Sequence, residues 1–113
     1  MKPLAALLIL AALAGPAAAE SRGTRIAMAV ALLDVSTEQC AGLLKVDEMV
    51  KATLFEHFHE YDIAGLASLL SRPLNSFYED FTYQAKQGRA AFCREAPRQA
   101  ARTGYPVLLS GGG

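Results

Sequence analysis

The sequence predicts an all-α protein, a small disulfide-stapled bundle of about four helices, on three observations. Ala and Leu are abundant, and no sustained alternation of apolar and polar residues is bounded by hairpin turns. Apolar residues recur instead at steps of three and four along most of the chain. Its two cysteines, Cys40 and Cys93, stand about 53 residues apart, at positions where an internal cross-link would tie distant helices together.

The first nineteen residues, MKPLAALLILAALAGPAAA, carry the pattern of an export signal: Lys2, an apolar run, then Ala17, Ala18 and Ala19. The ten residues from Leu4 to Leu13 are too few to cross a bilayer, which takes about 20. No Cys follows close to Ala19, which disfavours a lipid anchor. Cleavage after Ala19 is expected, leaving a soluble chain from Glu20, periplasmic or secreted, with no membrane contact once the signal is gone. The remaining 94 of 113 residues suit one domain with one core, expected over 20–104.

Loss of the leader removes Lys2 and no acid, so ten Lys and Arg face eleven Asp and Glu. A dedicated nucleic-acid or anionic-membrane binder would carry a concentrated basic face, so neither partner is expected. Arg89, Arg94, Arg98 and Arg102 lie mostly four apart and read as a solvated helix face.

Each element has its own signature. Ser21 to Gly23 reads as a short flexible lead. Arg25 to Leu33 is apolar on most sides, as in a buried helix. A second helix should start at Ser36 or Thr37, with Glu38 complementing the dipole and Gln39 at capping-box distance from Ser36, and run toward Glu60. Its stripe of Cys40, Leu43, Leu44, Val50, Leu54, Phe58 and Tyr61 turns the cysteine inward. A short helix over Ile63 to Leu70 is expected to end at Arg72-Pro73. Ser76 with Glu79 then opens a fourth, carrying the stripe Phe77, Phe81, Ala85, Gly88, Phe92 and Ala96, with Cys93 at its buried edge. Pro97 should end or kink it, Gly104 can stop it, and 105–113 reads as a flexible tail.

A Cys40–Cys93 bond would clip the second predicted helix to the fourth. A structural role is expected, because the pair is not Cys-x-x-Cys and only Arg94 stands near as an activating neighbour. Glu56-His57-Phe58-His59-Glu60 holds both histidines of the chain. His57 and His59 point to different sides of a helix, and the single Glu56-x-x-His59 element lacks the second element a di-iron bundle requires. No metal is therefore expected; a polar helix end is the plain reading, and pH sensing by His57 and His59 beside Glu56, Glu60 and Asp62 is the functional one. There is no Gly-rich phosphate loop, Gly-x-Ser-x-Gly elbow or His-Glu-x-x-His helix, so neither enzymatic activity nor a cofactor is expected.

The string Cys40-Ala41-Gly42-Leu43-Leu44-Lys45-Val46-Asp47-Glu48 resembles the first-cysteine motif of the HdeA/HdeB acid-stress chaperones, small periplasmic helical proteins. The leader, the short chain and a second cysteine some fifty residues on agree with that layout. The resemblance implies a homodimer, inactive near neutral pH, that loosens in acid and holds unfolded client proteins on apolar surface while the disulfide limits the loosening. Here that client-binding face would comprise Leu43, Leu44, Val50, Leu54, Phe77, Phe81 and Phe92. The chain departs from the family in its apolar helix before Cys40, its phenylalanine-bearing helix before Cys93 and its Ala/Arg-rich end. The competing expectation is a disulfide-stabilised helical binding module, an inhibitor or accessory subunit for one cell-envelope protein, with Tyr61, Tyr78, Tyr83 and the Arg series as anchors.

Overall fold

The structure, a computed structural model, describes residues 2–111, with side chains from residue 21 onward. The leader expected over 1–19 lies outside the residues whose side chains are described. Four helices and two short strands follow in the order α1 (Lys2–Gln39), β1 (Leu44–Val46), α2 (Glu48–Ile63), α3 (Ser68–Gln87), α4 (Arg89–Arg102) and β2 (Leu108–Ser110).

The C-terminal half of α1 is the hub. Ile26, Ala27, Ala29, Val30, Ala31, Leu32, Leu33 and Val35 are all buried, because α3 packs along this helix and α2 and α4 flank it. A helix apolar on most sides buries most of its surface, so the three other helices pack around it and leave Arg25, Asp34, Thr37 and Glu38 in water. Gly23 brings α1 close to its neighbours: a Cβ there would lie 3.1 Å from Tyr61 Cε2 and 3.4 Å from the Leu69 carbonyl oxygen. The expected flexible lead at Ser21 to Gly23 is therefore helix, fixed by this close approach.

The second predicted helix start also moves. Ser36 and Thr37 complete α1 instead of opening a new helix: Ser36 is buried, and the Thr37 hydroxyl donates to the Leu33 carbonyl one turn back. The chain turns at Cys40 to Leu43, with Gly42 at φ +83°, a left-handed conformation that glycine adopts without steric cost. Strand β1 follows, and Asp47 caps α2, its Oδ1 accepting from the Met49 and Val50 N–H groups at 3.1 Å each.

The helix ends expected at the two prolines fall elsewhere. Pro73 lies inside α3 and Pro97 inside α4, so neither ends its helix. Pro73 is the sixth residue of α3, so the carbonyl it leaves without a donor, that of Leu69, belongs to the first turn. The break falls at Gly88, between α3 and α4, and the Ser76–Glu79 pair sits mid-helix. Gly104, at φ +87°, follows the end of α4 as expected.

Residues 105–113, expected as a flexible tail, contain the second strand. β2 pairs antiparallel with β1, matching Leu44 with Ser110, Lys45 with Leu109 and Val46 with Leu108. The Asp47 N–H extends the pairing to the Val107 carbonyl at 2.8 Å, and both Val107 and Leu108 are core residues. Cys40 and Cys93 are bonded, with Cα atoms 5.6 Å apart, so the staple joins the turn after α1 to α4, not the second predicted helix to the fourth.

Candidate functional site

Most of the expected client-binding face is interior. Leu54, Phe81 and Phe92 are core residues, Phe81 and Phe92 having ring centroids 6.2 Å apart. Val50, Leu44 and Phe77 are half-buried against that core, and Phe77 stacks on Phe81. Leu43 alone of the seven is open to solvent, at 52 % exposure. These residues therefore compose the core and its margin, not one surface in the folded chain.

The two histidines separate as their spacing requires. His59 is exposed, whereas His57 is half-buried and its Nδ1 lies 2.7 Å from the Tyr105 hydroxyl, with the two rings edge-on. Glu56 and Glu60 are exposed, and Glu60 meets Arg22 at 3.8 Å across the α1–α2 seam. Among the described residues no three His, Cys, Asp or Glu side chains are grouped to hold a metal ion. Nor is any described helix long and apolar enough to cross a membrane.

His57 opens onto a surface cleft between α1, α2 and the turn after α4. Arg22 and Arg25, one turn apart, come from α1; Met49, Thr53 and His57, at successive four-residue steps on α2, supply the opposite wall together with Val50; Thr103 to Pro106 close one end. The cleft encloses about 540 Å³, within the range of about 300–1,000 Å³ typical of small-molecule sites. The end wall is set by Thr103, whose hydroxyl donates to the Ala100 carbonyl and accepts from the Tyr105 N–H, and by the left-handed Gly104 that reverses the chain. Both guanidiniums line the cleft and no carboxylate does. Arg22 also lies over the Tyr61 ring, 5.8 Å from its centroid.

Sequence reasoning found His57 but not its partner, because Tyr105 lies 48 residues away in the segment read as tail. The one local signal was the Gly104-Tyr105-Pro106 turn. The remaining expected anchors are dispersed. Tyr61 is buried, Tyr83 is exposed, and the Tyr78 hydroxyl donates to the Asp34 carboxylate of α1. Partial burial pushes the Asp34 carboxyl above its ordinary value, with Lys51 pulling the other way. Arg89 donates from Nε to the Gln39 carbonyl, covering the end of α1, and Arg98 meets Glu95 at 3.5 Å. Arg94 and Arg102 are exposed. Comparison with protein-family models, curated proteins and solved structures finds no match to this chain.

Proposed function

We propose that the chain is an exported, disulfide-stapled helical binding module that acts in its folded state on one protein partner in an oxidising compartment of the cell envelope. The observation that supports this reading is how little of the fold depends on ionised carboxylates. The described ion pairs, Arg22–Glu60, Lys51–Glu48 and Arg98–Glu95, are all 3.5 Å or longer and solvent-exposed, a class worth little to stability. Among the described residues one carboxyl, Asp34, has a clearly shifted pKa, and it is raised, so protonating it favours the folded state. Of the seven residues an acid chaperone would have to release, all but Leu43 lie in the core or at its margin, and the disulfide ties that core together.

The acid-chaperone reading keeps one independent support, the Cys40–Glu48 string. Protonating the carboxylates would also leave ten Lys and Arg and two His charged, a self-repulsion that opens many proteins. Dye-reported apolar exposure and suppression of client aggregation, followed on the oxidised protein from neutral pH to about pH 2, separate the two. A module stays closed over most of that range and protects no client. Reversible opening that protects several unrelated clients would replace the module reading with the chaperone one.

A further inference from the structure

The cleft between α1, α2 and the Thr103–Pro106 turn combines three features. Its charged lining is two guanidiniums with no carboxylate, so the site favours an anion. Arg22 is shared with Glu60 and the Tyr61 ring, whereas Arg25 has one hydrogen bond among the described residues, from Nη1 to the Ser21 hydroxyl at 3.2 Å. A guanidinium carries five donors in a planar fork that matches a carboxylate.

The His57–Tyr105 pair adds a further donor. If the tyrosine hydroxyl donates to Nδ1, the Nε2–H remains; if Nδ1–H donates to the tyrosine oxygen, the tyrosine O–H remains. Either neutral tautomer leaves one donor on a pair that lines the cleft. The aliphatic side chains of the lining are Met49, Val50 and Pro106, with Met49 83 % exposed. An aliphatic side chain fits such a wall, whereas a long alkyl tail would stay wet.

We propose that this cleft binds the C-terminal carboxylate of a peptide partner whose last side chain is aliphatic, with Arg25 as the principal carboxylate ligand and the His57–Tyr105 pair as the second donor. The inference rests on the binding-module reading, since it needs the cleft intact in the folded protein near neutral pH. It names the feature of the partner that the module would recognise.

The test is titration calorimetry of the oxidised protein at pH 7 with three probes: a short peptide ending in Ala-Leu with a free carboxylate, the same peptide amidated, and octanoate. The free-acid peptide is expected to bind saturably, the amide at least about tenfold more weakly, and added salt to weaken only the former. Arg25→Ala should cost the free-acid peptide about tenfold or more and leave the amide unchanged, with Arg25→Lys intermediate because it keeps the charge and loses the fork. Both are surface changes; Met49→Glu, a further exposed position, should repel the same probe. Equal binding of acid and amide, indifference to Arg25→Ala, octanoate binding without the peptide, or no binding by a protein that circular dichroism shows folded would each overturn the proposal. Failure of the module reading shows separately, as acid-dependent client protection.

Discussion

Removing the cross-link by Cys40→Ala/Cys93→Ala should destabilise this chain strongly. Both side chains are buried, and the bond closes a 53-residue separation between the turn after α1 and the second turn of α4. Loop-closure entropy for that span gives about 4 kcal/mol lost on opening, with the small Cys-to-Ala cavities adding to it. For a domain of this size that corresponds to a fall in Tm of about 15–30 °C. The assay is urea unfolding of the oxidised parent and the double variant, followed by helical circular dichroism. Because the stabilisation acts on the unfolded chain, the m-value should rise as ΔG falls, the uncrosslinked chain exposing more surface. A loss below about 1 kcal/mol with an unchanged m-value would refute the entropic account and show that the helices define their own unfolded ensemble without the staple.

Three further perturbations test separate parts of the structure. Asp34→Asn should stabilise the protein at pH 7, since burial raises this carboxyl and its favourable contribution is present only below the ordinary value, fading as pH rises through the raised one. Urea midpoints of parent and variant should therefore converge below about pH 4, and a deficit that persists in acid would contradict the sign. Asp47→Ala removes the acceptor of the Met49 and Val50 N–H groups and should cost about 1 kcal/mol in the same assay, whereas Leu43→Ala at a half-exposed position should stay within about 0.5 kcal/mol. Deleting residues 107–113 withdraws two buried aliphatic side chains and should cost about 3–6 kcal/mol, with the indirect loss of the His57–Tyr105 contact visible in the histidine ring resonances. Retention of full stability after that deletion would mean β2 adds nothing to the core.

The helical class was legible because burial of one stripe per helix imposes a three-to-four period, and in the stripe Phe77, Phe81, Ala85, Gly88, Phe92 and Ala96 all but Gly88, the break between α3 and α4, reach the core or its margin. The central helix was legible for a different reason, the uniformly apolar run from Ile26 to Leu33. Boundaries were not. Ser36 and Gln39 have the spacing of a capping box, but α1 continues through them because burying Val35 and Cys40 requires the helix to reach the turn, and a cap worth about 1 kcal/mol does not override that packing. The strands escaped notice because three residues are too short to show a period of two, and the partner of Leu44 is Ser110, far along the chain. The cleft was half legible: His57 stood out as a titratable side chain, while Arg25 and Tyr105 meet it only through tertiary packing.

The eight residues from Cys40 to Asp47 connect these observations. Cys40 fixes the end of α1 to α4, Leu44 to Val46 carry the C-terminal strand, and Asp47 starts α2, so one short segment sets the relative position of every wall of the cleft. The residues that resemble a first-cysteine chaperone motif thus have a structural reason for their order in this chain: a cysteine to anchor, a glycine at positive φ to turn, alternating apolar residues to pair, and an acid to cap. That order would recur in any folded module with this geometry, whatever it does in acid. The string is thus explained by this corner of the fold and carries no activity by itself, which is why the decisive measurements address the cleft and the acid response separately.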